Sequence, residues 1–386
     1  MRTTEEVLRI AKEGAEKYFP IQMDLLEEFS GIDCASRNEA GIQKVIEVIE
    51  RIVEPMGVKL EYYHDPGIGT HVIGRLIPEN STGKILILAH TDTVFPEGEC
   101  EKYPFHIDGE WAYGLGITDC KGGLVTAIYA VKIMQEAGML PDKEIIFLMN
   151  CDEELASPSS IEFFRETMIG ADYAFGFEPA REENGVYTSR IGVAEGSIDI
   201  TGVASHAQLA PLEGRSAVVE MANIILKLVG KNNIEKNLLY NIAPVQGGIR
   251  PGIIADQAHA RYCVSLNTAA SLEQAEQDVM SLENEGIVDG CKIKVTFDPL
   301  FPPMERTEGN VKLYEIVKKA GDIMGLPLPE GAAKGSSDTC HTTFLGVPSV
   351  DCLGPYMVDV HKVTERMRIS TLPERTTLFA IVLATL

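Results

Sequence analysis

Four short apolar runs constrain this chain more than any other feature: residues 84–89 (KILILA), 144–149 (EIIFLM), 173–177 (YAFGF) and 347–352 (VPSVDC). They are apolar along their length rather than at alternate positions. A strand of that kind has no solvent face, so it belongs in a sheet covered on both sides, the setting of parallel strands under helices. Between the first two runs, residues 122–137 carry Val125, Ile128, Tyr129 and Lys132 at helical spacing, and Gly138 and Pro141 stop the pattern. The order strand, helix, strand predicts an α/β fold with a mixed, mainly parallel sheet flanked by helices. Helices are also predicted over 4–30, with Val7, Ile10, Ala11 and Ala15 on one stripe, and over 39–56, ending at Pro55 and Gly57. The apolar tail 378–386 reads as a buried terminal helix.

Residues 189–298 follow another rhythm. A strand (192–203), a helix (215–229), two strand-like segments (238–247 and 253–267), a helix (271–285) and a strand (291–297) give the order βαββαβ. That is the split βαβ pattern of a small α+β, ferredoxin-like domain. At 386 residues the chain exceeds one ordinary core. The expected organisation is a catalytic domain in two parts, 1–188 and 299–386, interrupted by an inserted domain at 189–298.

Thirty-four basic residues against 57 acidic ones leave a formal charge of −23. A phosphate backbone or an anionic membrane needs a basic surface, so neither is an expected partner. No apolar run approaches the ~20 residues of a membrane helix. The opening residues lead into an acidic amphipathic helix rather than an apolar signal core, which predicts a cytoplasmic protein. The eight cysteines include no C-x-x-C pair and read as reduced thiols.

Ligand-type residues follow the apolar runs. His90-Thr91-Asp92 follows the first, Asp152-Glu153-Glu154 the second and Glu178 the third; the fourth leads through Gly354-Pro355 to His361. In open α/β sheets, ligands bind beyond the carboxyl ends of strands. A further segment, Tyr113-Gly114-Leu115-Gly116-Ile117-Thr118-Asp119-Cys120-Lys121-Gly122-Gly123, sets Asp119 just ahead of a helix. Its G-x-G lacks the strand context of a dinucleotide site. Two histidines and several carboxylates suit Zn²⁺, with Co²⁺ or Mn²⁺ as alternatives. Two such ions, roughly 3.5–4 Å apart, need a carboxylate that bridges them. In the Glu153-Glu154 pair, one residue can coordinate while the other stays free to take a proton from water. Asp92, two residues from His90 in extended chain, can accept its second ring N–H.

These motifs, in this order along nearly the whole chain, resemble the co-catalytic zinc peptidase family that includes glutamate carboxypeptidase, aminoacylase, succinyl-diaminopimelate desuccinylase and tripeptidase T. The resemblance implies that Asp119 bridges two metal ions and that its bond to Cys120 is cis. His90 and Glu178 complete one metal site, and Glu154 and His361 the other. Glu153 is the general base and acid, and Asp92 orients His90. It implies further that His206, within Ser205-His206-Ala207, stabilises the oxyanion, and that the inserted domain is a lid through which the chain forms a homodimer. A glutamate at 178 leans toward peptidase or deacylase chemistry on acyl-amino acids. Gly252 and Ser265 stand where relatives that grip a substrate carboxylate carry Asn and Arg.

The expected function is therefore a dinuclear metal-dependent hydrolase cleaving an amide or peptide bond of a small peptide or acyl-amino acid. The alternatives are an N-acyl-amino-acid deacylase and, in another class, a catalytically silent metal-binding scaffold. A histidine at a strand end is commonly an ordinary hydrogen-bonding residue; His64, His71, His106 and His259 are read that way, and His341 competes with His361. Asp152 is expected to be solvated or capping. Cys120 and Cys151 are expected to be packing residues.

Overall fold

The computed structural model describes residues 3–180 and 184–386. Two compact units divide the chain. One takes it to Ser189 and resumes over Arg306–Ala333 and Ser337–Leu386; the other is Arg190–Glu305 with Lys334–Ser336.

The first unit is built on a six-stranded sheet in the order Lys59–Asp65, Gly69–Leu76, Glu144–Met149, Lys84–Leu88, Tyr173–Gly176, Ser349–Val350. Lys84–Leu88 pairs in parallel with both Glu144–Met149 and Tyr173–Gly176, and Tyr173–Gly176 with Ser349–Val350. The Lys59–Asp65 and Gly69–Leu76 strands join antiparallel at one edge. The apolar runs are explained by what covers them. Ile85, Ile87, Ile145 and Phe147 enter the large core with helices Thr4–Ser30, Lys121–Glu136 and Thr371–Thr385. Leu86, Leu88, Ile146 and Leu148 face the other way, onto Phe164 and Met168 of helix Ser160–Met168.

The helix that follows Asp119 packs against the sheet without a spacer. A Cβ on Gly123 would stand 1.8 Å from the carbonyl oxygen of Phe177, so only glycine allows this approach. A small antiparallel sheet, Met357–Val358, Arg366–Arg368, Trp111–Tyr113, His106–Asp108, ties the chain leading to Asp119 to the hairpin that carries His361.

The second unit has one antiparallel sheet, ordered Leu239–Gly247, Gln257–Leu266, Gly192–Thr201, Lys292–Val295, with Asp298–Phe301 also on Gly192–Thr201. Gly192–Thr201 and Leu239–Gly247 are split by the strand between them, as the βαββαβ order requires. Gly192–Thr201 alternates in burial, and its inward residues Ile198 and Ile200 pack with Met221, Ile224 and Leu228 of helix Ala217–Gly230 and Val279 of helix Ala269–Met280. The same helix Ala217–Gly230 leaves Val218, Val219, Leu226 and Val229 exposed. Among the described residues no helix is long and apolar enough to cross a membrane. All eight cysteines are free thiols.

Candidate metal centre

Seven of the eight anticipated site residues lie in the first unit. Each strand end delivers its residue differently. His90 follows Lys84–Leu88 by two residues, with Thr91 held to Asn150, just past the neighbouring strand, by backbone and hydroxyl bonds of 2.7 Å each. After Glu144–Met149 the chain makes a 3₁₀ turn, Glu153–Leu155, closed by Ala156 and Ser157 at φ 70° and 54°. Asp119 comes from a loop whose Gly116 has φ 66° and would drive a Cβ to 2.5 Å from Thr93 Cγ2. The Asp119–Cys120 peptide is cis.

The side chains converge. Asp119 is the centre: its Oδ1 lies 3.1 Å from His90 Nε2 and its Oδ2 lies 3.3 Å from His361 Nε2. Glu154 Oε2 is 3.4 Å from the same His361 nitrogen, and Glu178 Oε1 is 3.8 Å from His90 Nε2. Among the described residues, His90, Asp119 and Glu154 form one group able to hold a metal ion, and His90, Cys120 and Glu178 another. His90 Nδ1 is turned to Asp92, 3.0 Å from its carbonyl oxygen and 3.3 Å from its carboxylate Oδ1. The second oxygen of Asp92 accepts from Ser36 Oγ at 2.6 Å and from the Glu154 amide at 3.3 Å. His90 thus keeps its Nε2 atom for the centre, and His361 presents its own Nε2 to Asp119 and Glu154.

The donor set fits divalent ions. Two ligands bound to one zinc at tetrahedral angles and at its usual nitrogen and oxygen distances are about 3.3 Å apart. The separations of 3.1, 3.3 and 3.4 Å around Asp119 have that size. Charge argues the same way. Asp92, Asp119, Glu153, Glu154 and Glu178 gather around two imidazoles, an excess of buried negative charge that needs cations. Burial, with Glu178 beside it, pushes the Glu153 carboxyl well above the usual range, and burial pushes Glu154 up to about 7. Asp119 is held low by His361 and His90 against the opposing effect of its burial.

His206 belongs to the second unit, on the two-residue strand Ser205–His206 paired with Ile253–Ile254. Its side chain is exposed, and its Nδ1 accepts the Gln208 and Leu209 amides at 3.3 Å. That fixes the ring proton on Nε2.

Other residues have structural roles. His71 is buried, with Nε2 3.1 Å from Ser159 Oγ. His341 is in helix Thr339–Phe344, and burial takes its pKa down to about 4. Asp152 caps, as expected, by accepting the Ser159 and Ser160 amides, but it is fully buried rather than solvated, because Ser160 Oγ and the two amides replace its water. Cys120 is buried with its thiol on the Phe177 carbonyl, and Cys151 is buried beside His71.

Two acids outside the anticipated set shape the site. Asp338 accepts from Asn150 Nδ2 at 2.7 Å and Ser157 Oγ at 2.5 Å, pinning both sides of the Glu153–Glu154 turn. Glu365 accepts from the amides of Gly116, Thr118 and Asp119 and from Thr118 Oγ. Burial and the neighbouring Asp119 push its carboxyl up to about 7. In the sequence Glu365 looks like an ordinary surface acid, and Asp338 stands out only through the Gly335-Ser336-Ser337-Asp338 loop, which resembles a glycine-rich substrate loop of the zinc peptidase family; neither follows one of the buried apolar runs.

Comparisons with known proteins place the chain in a family. A family model described as peptidase family M20/M25/M40 matches residues 86–385. Carboxypeptidase G2 of Pseudomonas sp. (strain RS-16) is 28% identical over 371 residues, covering 92% of this chain and 87% of its own length. A succinyl-diaminopimelate desuccinylase of Acidovorax ebreus (strain TPSY) is 25% identical over 313 residues, covering 75% of this chain and 77% of its own. Among solved structures, aminopeptidase PepT of Bacillus cereus ATCC 10987 has the same fold, with a TM-score of 0.77 at 20% identity, covering 94% of this chain and 97% of that one. A dinuclear metal-binding M20 peptidase of Bacillus subtilis superposes with a TM-score of 0.70 at 16% identity, over 96% of this chain and 98% of that one. A family match across more than three quarters of the sequence, on a fold that brings His90, Asp119, Glu154, Glu178 and His361 together, means that the chain belongs to the metallopeptidase family M20/M25/M40.

Proposed function

We propose that this protein hydrolyses the amide or peptide bond of a small peptide or an acyl-amino acid, with two divalent metal ions, zinc as the native metal and cobalt or manganese as substitutes. One observation carries the reading: the two carboxylate oxygens of Asp119 face two different imidazoles, His90 and His361. A bridging ligand has that disposition, whereas a carboxylate in a single ion pair has no need of it. His90 and Glu178 would hold one ion with Asp119, and His361 and Glu154 the other.

Bound there, the ions would supply Lewis acidity and a water acidified toward neutral pH. The chain's own groups do the rest. Glu153 Oε takes a proton as water attacks the scissile carbonyl carbon, then delivers it to the nitrogen of the leaving amine. Asp92 keeps the His90 ring oriented with Nε2 forward. His206 Nε2–H is the donor proposed for the oxyanion, since Nδ1 is occupied by two backbone amides.

The second unit is proposed as a lid and as the dimer interface, a second copy of this chain covering the exposed stripe Val218, Val219, Leu226 and Val229. A cytoplasmic location goes with this reading.

A screen of dipeptides, tripeptides and N-acyl-amino acids, loaded with Zn²⁺, Co²⁺ or Mn²⁺ and read by amine release, tests the function. Release that stops on chelation and returns with metal is the expected result. Metal-loaded protein that cleaves none of these substrates would leave the scaffold reading in its place. The similarity to a carboxypeptidase and to a desuccinylase makes acyl-amino acids with an acidic acyl or amino part the first substrates to try.

A further inference from the structure

Glu365 is a buried acid that the mechanism above does not use. The residue is 1% exposed, and its side chain takes four hydrogen bonds, all from one loop. The Gly116 amide reaches Oε2 at 3.2 Å; the Thr118 amide, the Thr118 hydroxyl and the Asp119 amide reach Oε1 at 2.9, 2.8 and 3.3 Å. The Glu365 carbonyl adds a fifth link, accepting the Gly114 amide at 3.4 Å. No other side chain gathers this loop so completely among the described residues. The loop is glycine-rich and begins where Trp111–Tyr113 ends, so its own sequence does little to fix where Asp119 points.

Glu365 also belongs to the other ligand segment. It immediately precedes the Arg366–Arg368 strand, which pairs with Met357–Val358 on one side and Trp111–Tyr113 on the other, and His361 sits in the connection between the first two. His361 has φ 60°, and its side chain is 47% exposed, so packing alone does not hold it. The hairpin is braced instead by Asp359, which accepts from Lys362, Thr364 and Arg366. Glu365 therefore ties the base of the His361 hairpin to the backbone on either side of Thr118, and the Asp119 Oδ2 to His361 Nε2 distance of 3.3 Å is the gap spanned by that tie.

We propose that Glu365 is a positioning residue for the metal pair: by clasping the Gly116–Asp119 backbone to the His361 hairpin, it sets the geometry of the cation position between Asp119, Glu154 and His361. A carboxylate suits this role because one group accepts several N–H and O–H bonds at once. An amide offers one acceptor oxygen, and its NH₂ group would meet either the Gly116 amide or the Thr118 and Asp119 amides donor to donor. The inference rests on the dinuclear reading above, and its test reads metal binding rather than turnover.

The experiment compares wild type with Glu365→Gln and Glu365→Ala. Zn²⁺ stoichiometry and affinity are measured by competition with a chromophoric chelator, and Co²⁺ absorption by titration. Thermal unfolding of the metal-free proteins reports on the fold. Groups that orient ligands typically change metal affinity by about 10- to 100-fold. The expected result is one of the two ions bound about 10-fold more weakly or worse in Glu365→Ala. Glu365→Gln should lie between Ala and wild type, the Co²⁺ spectrum of the second equivalent should change, and metal-free unfolding should stay near wild type. Two ions bound by both variants with wild-type affinity and spectrum would overturn the proposal while leaving the dinuclear reading intact. Variants unfolded without metal would make Glu365 a fold determinant and overturn it too. A wild type that binds no pair of ions would remove the dinuclear reading and this inference with it.

Discussion

Glu153 and Glu154 are neighbours in sequence but meet different surroundings. Glu154 turns to His361, its amide held by Asp92, while the Glu153 carboxyl feels chiefly burial and Glu178. The division of labour proposed for them would follow from the 3₁₀ turn, which sends consecutive side chains in different directions. Glu153→Gln should therefore keep both ions, since the variant removes no ligand, and should lower kcat by about 10²- to 10⁴-fold, the usual contribution of a positioned proton carrier. Metal analysis beside steady-state kinetics checks this; wild-type kcat in a metal-replete variant would assign the proton transfer to another group.

At the scale of elements, the terminal helix Thr371–Thr385 is buried through most of its length and holds the strands from behind the site. Phe379 meets Phe175 and Phe177 edge-on, with ring centroids 5.1 and 4.8 Å away, just before the chain reaches Glu178. Phe379→Ala should cost about 3–5 kcal/mol of stability, the range for emptying a packed aromatic site. Urea unfolding of metal-free protein measures it, and a loss below 1 kcal/mol would mean that the strands hold their positions unaided. The parallel strands and main helices are legible in the sequence because each apolar run reports cover on both faces. The edge hairpin Lys59–Asp65 and Gly69–Leu76 is not: its first strand is largely exposed, and polar residues such as Glu61, His64 and Asp65 break any apolar run. Of the proposed ligands, His90, Glu154 and Glu178 are legible because they follow buried apolar strands, and Asp119 because it stands just ahead of a helix after a glycine-rich stretch. Glu365 is not, and the contacts that Asp338 makes are not, because they lie in the backbone amides, hydroxyls and carboxamide that these acids bind, and a linear pattern carries no record of such long-range pairings.

For the molecule as a whole, a formal charge of −23 and an exposed apolar stripe on the second unit make opposing demands. Net charge keeps copies apart, whereas Val219 and Leu226 on one face of helix Ala217–Gly230 favour pairing. Leu226, 73% exposed, contributes little to its own unit's core. Leu226→Asp should convert the proposed dimer to a monomer in multi-angle light scattering, with the far-ultraviolet circular dichroism unchanged. A mass that does not depend on this substitution would move the interface elsewhere or remove it.

The interruption of the first unit by residues 190–305 also matters for how the protein is made. During translation, His90, Asp119, Glu154 and Glu178 emerge well before the whole second unit, and the imidazole at 361 follows only after it. On the proposed assignment, a chain still missing its last segment lacks one of the two imidazoles, so the complete centre can form only once residues 306–386 have been made.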